Sequence, residues 1–290
     1  MAMDLAAITI IQIVNLIASL ALLSIGLAVI FGMMRVINLA HGEFLMLGAY
    51  AVLVPTQAGV PLWISMFIIA PLFVGIVGVI IERLIIRHLY GRMMDTLLAT
   101  WGLSLLIVGA MTMIFGNTME GISTPFGSFT IGSLADSQYK FFTIGITAVV
   151  LLAAYVVLKY TRFGLIARAT MQNSDQASVL GVSPPAVYTL TFGIGAALAG
   201  LAGAILAPIS GVLPTMGAAY IAKAFITVIG GGEAILTGTA AASVFFGAIN
   251  QTTTFFTSSV VGEVALLVAA IILLRLLPQG ITGRFFRRGL

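Results

Sequence analysis

Long apolar runs alternate with short polar segments along almost the whole chain. Most of these runs approach the roughly 20 residues that a membrane-spanning helix needs. Two segments, 33–42 and 218–232, are too short or too interrupted by glycine for simple spans, so we expect broken or re-entrant segments there. The pattern predicts an all-α fold, a polytopic membrane protein with about eight transmembrane helices. The predicted spans are 8–31, 44–55, 62–86, 94–115, 141–158, 187–208, 234–250 and 263–277.

Composition and charge support this interpretation. The chain is 60% hydrophobic and only 8% charged, whereas about a quarter of a soluble protein is charged. Basic residues gather at 83–92, 159–168 and 275–288, and the positive-inside rule places these clusters on the cytoplasmic side. The polar interval 116–139 lacks a basic cluster, so we place it in the periplasm. We therefore expect a multi-pass membrane protein.

The residues present also limit the chemistry. The net charge of +4 reflects cytoplasmic loops and does not indicate nucleic-acid binding. No cysteine occurs, which excludes disulfides and thiolate metal sites. No hydrophilic stretch is long enough for a nucleotide-binding domain, and no catalytic constellation appears. We expect no enzyme activity, cofactor or metal, and any energy source to be another chain.

A weak internal repeat divides the chain. The stretches 42–48 and 232–238 share the spacing Gly-Glu-x-x-x-x-Gly, and a basic residue, Arg83 or Arg275, follows each about 40 residues later. Matching charges favour two repeats in the same orientation, an arrangement found in transporters, although so short a match in a glycine-rich chain also arises by chance. The predicted single transmembrane domain, 1–290, comprises a first half (1–115), a periplasmic loop (116–139) and a second half (140–290).

Asn38, His41 and Glu43 place an amide, an imidazole and a carboxylate within apolar sequence. Ionisable groups at membrane depth are costly and often mark a transport path. A break at Gly42 would expose backbone groups, which are tolerated only inside protein or along a cavity. Two interpretations remain open: the three side chains line a path or hinge, or they satisfy the broken backbone.

Three consecutive glycines, Gly230, Gly231 and Gly232, precede Glu233. Each glycine costs a helix about 1 kcal/mol relative to alanine, so the run favours a helix break or a close approach of two backbones. Glu233 would lie in the first turn of the next helix, where the dipole stabilises negative charge. The alternatives are a discontinuous helix beside the substrate path and a tight turn with a capping acid.

Other hydroxyl and amide side chains in the apolar runs are weaker candidates, because such groups often bond neighbouring helices for stability alone. They are Thr96, Thr100, Trp101, Asn250 and Gln251. The predicted substrate-pathway residues are Asn38, His41, Glu43, Thr100, Trp101, Gly230, Gly231, Gly232, Glu233 and Asn250.

The cytoplasmic segment 160–186 contains an amphipathic stretch, 163–181, predicted as a helix of about five turns. Ala177 and Leu180 are spaced to share one face, and a proline pair ends the stretch before the next span. Such a helix either lies at the membrane interface or docks into a groove of a partner protein.

Several motifs together resemble the branched-chain amino acid permeases of bacterial ABC importers, a family that includes the urea and short-chain amide permeases. The resemblance covers nearly the whole chain. It is carried by residues 31–50, by Gly164 with Arg168, by Ala177 with 180–181, and by the segments 191–203, 223–232 and 278–281.

The resemblance implies a set of partners. They are a second permease subunit in a heterodimer, two cytoplasmic ATP-binding subunits, and a periplasmic solute-binding protein, all around a chain embedded in membrane lipid. It also implies that the segment 168–181 couples the permease to the ATPase. The coupling residues expected on this basis are Gly164, Arg168, Ala169, Asn173, Ala177, Leu180 and Gly181.

Two details bear on the solute. Residues 95–102 look more like the urea permeases than the amino acid permeases, and a neutral solute suits a chain with few charges. Glu233 departs from the family, which usually has a small residue there. The sequence thus predicts urea or a short-chain amide, with branched-chain amino acids as the alternative. A stand-alone ion-coupled carrier, with Glu43, Glu233 and Glu263 relaying protons, is a more remote alternative.

Overall fold

The structure, a computed structural model, describes residues 2–232 and 234–286, and helices dominate them. A π-helical turn, Ser65–Ile69, joins two helices into one run, and a 3₁₀ turn, Ile86–Leu89, follows the second. The helices are α1 (Ala2–Met34), α2 (His41–Gln57), α3 (Leu62–Ile64), α4 (Ala70–Leu84), α5 (Met93–Phe115), α6 (Tyr139–Tyr160), α7 (Arg162–Gln172), α8 (Ser174–Val179), α9 (Pro184–Ser210), α10 (Met216–Gly231), α11 (Ile235–Phe256), α12 (Ser259–Leu276) and α13 (Gly280–Phe286).

The predicted class, an all-α polytopic membrane protein, is confirmed. Among the described residues, six helices are long and apolar enough to cross a membrane, or seven if α10 and α11, bent by 115°, form one span. The remaining predicted span, 44–55, is the second along the chain and corresponds to α2. The 17 residues of α2 fall short of the roughly 20 that a span needs. Leu105 on α5, Leu152 on α6 and Ile271 on α12 lie exposed, as expected of helices that contact lipid.

The chain separates into two compact units built from interleaved segments. One comprises residues 1–24, 123–151 and 223–290, and the other comprises residues 25–122 and 152–222. We call them the hairpin unit and the central-helix unit. This division follows contacts and not sequence order, so the predicted halves, 1–115 and 140–290, remain a prediction.

The central-helix unit is organised around α2. Nearly all of α2 from His41 to Leu53 is buried, and it packs mainly against α9 and α4. Glycine makes this packing possible, because a β-carbon on Gly48 would overlap the backbone of Gly200, and one on Gly203 would overlap the backbone of Leu45. Small residues of this kind allow close helix packing in membranes.

The hairpin unit packs α11 against α12. It also contains an antiparallel hairpin of β1 (Ser128–Ile131) and β2 (Leu134–Ser137), which lies in the interval predicted to be periplasmic. Asp136 ties this hairpin to neighbouring helices through Lys140 at 2.7 Å and Gln12 at 3.4 Å. Burial alone would raise the pKa of Asp136, but hydrogen bonds from Lys140 and the Ser137 backbone hold that pKa below its ordinary value.

Candidate functional site

A break follows α1, but it precedes His41, and the predicted position at Gly42 is wrong because Gly42 is helical in α2. Helix α1 ends at Met34, residues 35–40 are not helical, and α2 begins at His41. Arg35 has a φ of 52°, an uncommon conformation for a residue with a side chain, and it starts the break. Asn38 shapes its end, since its Oδ1 accepts a hydrogen bond from the Ala40 amide at 3.1 Å. Asn38 thus supports the broken backbone.

Thr100 on α5 forms hydrogen bonds with the backbone of the same break. Its hydroxyl oxygen accepts a hydrogen bond from the Leu39 amide at 3.1 Å and lies 3.3 Å from the Ile37 carbonyl, to which it can donate. These bonds satisfy backbone groups that would otherwise be unpaired in an apolar interior. Thr100 is therefore part of the break, and its side chain is fully buried, while its role on the substrate pathway stays a prediction.

Glu43, in the first turn of α2, is the charged member of the cluster. Its Oε1 accepts a hydrogen bond from the Ser104 hydroxyl on α5. Its Oε2 is buried, without a hydrogen-bond partner among the described residues, and lies where a β-carbon of Gly217 would be. Gly217 is the second residue of α10, so the carboxylate sits at a helix N-terminus, which favours negative charge.

The cluster formed by Asn38, His41, Glu43 and Thr100 is buried inside the central-helix unit. The four side chains are 0–3% exposed, and the imidazole of His41 lies against Gly26 on α1. Such an arrangement can hold the α1–α2 break rigid, or line a path that opens when these helices move. Trp101 does not join the cluster, because it is 55% exposed on the outer face of α5.

The triple glycine lies in the hairpin unit. Gly230 and Gly231 belong to the last turn of α10, and the predicted helix break follows them. Gly232 ends the helix with a φ of 84°. The expected close approach of backbones is present, since a β-carbon on Gly231 would overlap the backbone of Gly238. The prediction for Glu233 lies outside the described residues.

Asn250 lies 8% exposed on α11. Its Oδ1 is 3.4 Å from the Thr254 hydroxyl, one turn later. Gly262 on α12 packs against both residues, so Asn250 supports the contact of α11 with α12. Gln251, the neighbouring candidate, bonds Gln12 on α1 at 3.2 Å.

The predicted coupling segment is two helices and not one of five turns. Helix α7 ends at Gln172, and Asn173 adopts an extended conformation whose side chain accepts hydrogen bonds from the Asp175 and Gln176 amides. This cap begins α8, and the sequence pattern alone did not reveal that Asn173 would interrupt the helix. The predicted shared face is also wrong, because Ala177 is buried while Leu180 is 83% exposed.

Other coupling candidates fix this segment to α6. A guanidinium nitrogen of Arg168 donates a hydrogen bond to the Leu158 carbonyl, and a β-carbon on Gly164 would overlap that same carbonyl. Ala169 lies on the exposed side of α7. Gly181 follows α8 with a φ of 85°. Val179 and Leu180 next to it are exposed apolar side chains.

Sequence analysis missed a polar network around Glu82, whose side chain is fully buried near the end of α4. Its Oε1 accepts a hydrogen bond from the Tyr90 hydroxyl and lies 3.7 Å from Nε of Arg87. Arg87 also donates to the Thr189 hydroxyl on α9 at 3.0 Å. An acidic residue directly before the first basic cluster was the available signal, but nothing in the sequence pointed to Thr189.

Tyr90 contributes further to this network. Its ring packs edge-on against Tyr188 of α9 at 5.0 Å between centroids. Burial, reinforced by the neighbouring Glu82 carboxylate, raises the pKa of the Tyr90 phenol well above its ordinary value. The phenol therefore stays protonated and remains a hydrogen-bond donor to Glu82.

The family and the relatives that this chain matches are transport components. Residues 9–277 match the family model described as branched-chain amino acid transport system / permease component. The high-affinity branched-chain amino acid transport system permease protein LivH of Salmonella typhimurium is 28% identical over 287 residues, covering 93% of each chain. BraD of Pseudomonas aeruginosa, with the same description, is 26% identical and covers 91% of each chain.

A more distant organism has a similar protein. The probable branched-chain amino acid transport permease protein LivH of Methanocaldococcus jannaschii is 26% identical over 284 residues, covering 91% of this chain and 88% of its own length. No solved structure matches the chain.

Proposed function

The chain belongs to the family of permease components of branched-chain amino acid transport systems, and from that premise we propose that it is the membrane subunit of an ATP-driven importer of branched-chain amino acids. The observation that carries the proposal is the family match over residues 9–277 of a chain of 290. The chain is a multi-pass protein of the inner membrane.

The solute differs from the one predicted first. The urea or short-chain amide preference rested on residues 95–102, and the comparisons do not support it. The relatives named above, which align over nearly their whole length, are described as branched-chain amino acid permeases. The alternative solute, a branched-chain amino acid, therefore fits better.

The proposed energy source is ATP hydrolysis by separate subunits. We propose that two cytoplasmic ATP-binding subunits dock on the segment α7–α8. The exposed apolar side chains of Val179 and Leu180 support this, because a helix can present such side chains to a groove of a partner. Arg168, bonded to the end of α6, would transmit the movement to the membrane helices. A second permease subunit and a periplasmic solute-binding protein complete the proposed assembly.

Each unit contains one helix break, and we propose that the residues at each break serve transport. Asn38, His41, Glu43 and Thr100 would support the transport path at the α1–α2 break, where they are buried in the observed state. The triple glycine and Asn250 would serve the break between α10 and α11, and Glu233 keeps the role proposed from sequence. Trp101 on the outer face of α5 would meet the path only at the boundary with a second subunit.

Solute uptake by vesicles containing the assembled transporter tests this function. With binding protein outside and ATP inside, we expect leucine, isoleucine or valine to accumulate and urea not to accumulate. Accumulation of urea alone would overturn the solute assignment. Uptake driven by a proton gradient without ATPase subunits would instead favour an ion-coupled carrier.

A further inference from the structure

An ion pair joins two apolar helices of the hairpin unit. Lys223 on α10 and Glu263 on α12 approach with Nζ and Oε1 2.6 Å apart. Lys223 is the eighth residue of the 16-residue α10, which places it about 10 Å from either helix end. Glu263 is the fifth residue of α12, a helix in one of the candidate spans. Neither residue belongs to the pathway cluster described above.

The pair is open to the surroundings of the chain. The side chain of Glu263 is 52% exposed and that of Lys223 is 25% exposed. Around Glu263, Val260 and Val264 on α12 are also exposed. A charge on such a face is costly against lipid, so intramembrane charges usually face water or protein and often mark a substrate path. Glu43, by contrast, is closed off from the surroundings.

The two side chains match the two ends of an amino acid. An α-amino acid at neutral pH carries one ammonium and one carboxylate group close together. A lysine ammonium binds a carboxylate, and a glutamate carboxylate binds an ammonium, through charge-assisted hydrogen bonds. Lys223 and Glu263 can exchange their mutual bond for one bond to each end of such a solute. One bond within the pair is then replaced by two bonds to the solute, whose charged ends give up their bonds to water.

We propose that Lys223 and Glu263 form a binding subsite for zwitterionic α-amino acids on the transport path of this permease. The proposal rests on the proposed function and adds the residues that recognise the backbone of the solute. When no solute is bound, Lys223 and Glu263 bond each other. Solute binding breaks that bond, so net binding is weak, which suits a subunit that must release its solute. Urea has no charged ends and would not open the pair.

The competing role for the pair is a structural tie between α10 and α12. The two roles respond differently to exchange of the charges. In the double variant K223E/E263K an ion pair of the same composition can form, so a structural tie is restored. A subsite is not restored, because the positions of the positive and negative groups relative to the path are reversed.

The experiment uses the assembled transporter in vesicles, with ATP inside and binding protein outside. Initial leucine uptake and its dependence on leucine concentration are measured for wild type, K223M, E263Q and K223E/E263K, and thermal unfolding is measured for each variant. The matched control is the exchange D136K/K140D, which reverses a second ion pair among the described residues of the hairpin unit, 2.7 Å long.

We expect K223M and E263Q each to lower leucine uptake about tenfold or more, the loss expected for one charged hydrogen bond. The exchange K223E/E263K should regain the wild-type unfolding temperature without regaining uptake, and D136K/K140D should transport like wild type. Recovery of uptake in K223E/E263K, or wild-type uptake in E263Q, would overturn the subsite. A wild-type complex that moves urea and no amino acid would overturn the proposed function itself.

Discussion

Nη2 of Arg87 donates a hydrogen bond to the Thr189 hydroxyl at 3.0 Å. This bond joins the segment before α5 to the beginning of α9, and α9 starts directly after the proposed coupling segment. Arg87 also lies 3.7 Å from the buried carboxylate of Glu82 on α4. A displacement of α8 therefore has a short physical route to α4 and α5.

The first prediction concerns this route. Thr189→Val keeps the shape of the side chain and removes the acceptor for Arg87. We expect the variant to insert normally and to transport less leucine for each ATP hydrolysed, because the hydrogen bond between α9 and the segment before α5 is lost. The ratio of uptake to hydrolysis in vesicles measures this. Asp95→Asn, which removes an exposed pair with Arg92, is the control and should leave the ratio unchanged. An unchanged ratio in Thr189→Val would show that the bond transmits nothing.

The second prediction concerns stability at the same place. Tyr90→Phe removes the hydrogen bond to Glu82 and leaves a fully buried carboxylate less satisfied, which should cost about 1–3 kcal/mol of unfolding free energy. Thermal unfolding of the purified protein measures the loss. Tyr160→Phe, at an exposed tyrosine, is the control. Equal effects of the two substitutions would contradict the importance of the Tyr90–Glu82 bond.

The third prediction is a pH dependence. Burial and Glu82 raise the pKa of Tyr90 in the folded state, so the folded protein holds this proton more tightly than the unfolded chain. The resulting stability is fully present below the unfolded pKa of about 10 and is lost as pH rises through it towards the folded pKa. The unfolding temperatures of wild type and Tyr90→Phe should therefore converge above about pH 10. A constant difference up to pH 11 would contradict this assignment.

The fourth prediction tests the packing around α2. Gly48→Ala places a β-carbon against the backbone of Gly200, where no flexible side chain can move aside. We expect a loss of about 1–3 kcal/mol or more, seen as poor recovery of folded protein from the membrane. Gly109→Ala on α5 is the matched control, because nothing lies within 4 Å of its added carbon. Similar recovery of both variants would show that the α2–α9 contact is looser than described.

The fifth prediction tests the docking of the ATPase. Leu180→Asn changes a side chain that is 83% exposed, so folding should be little affected while an apolar contact with the partner is lost. We expect weaker co-purification of the ATP-binding subunits and lower transport-coupled hydrolysis. Met119→Asn, at an exposed residue of the predicted periplasmic segment, is the control. Normal hydrolysis in Leu180→Asn would place the docking surface elsewhere.

Much of the fold could be predicted, because a membrane helix requires a run of about 20 consecutive apolar residues, which the sequence shows directly. The predicted span 94–115 corresponds to α5, and 187–208 corresponds to α9. A break near His41 was also predicted, but it was placed at Gly42, which lies in α2, and residues 35–40 form it instead.

The features that were missed depend on contacts between distant residues or on one side-chain bond. Thr189 lies 102 positions from Arg87, and no periodicity reports such a pair. Asn173 separates α7 from α8 because its side chain caps the start of α8, although its neighbours continue an amphipathic pattern. The sequence analysis named Glu263 and the segment 223–232 in separate contexts. Only the fold brings the side chains of Lys223 and Glu263 to 2.6 Å.

The most direct test of the central claim compares vesicles that contain the complete transporter with vesicles that lack the ATP-binding subunits. The account predicts ATP-dependent accumulation of leucine in the complete vesicles and none in the others. Equal leucine accumulation in both preparations would contradict it.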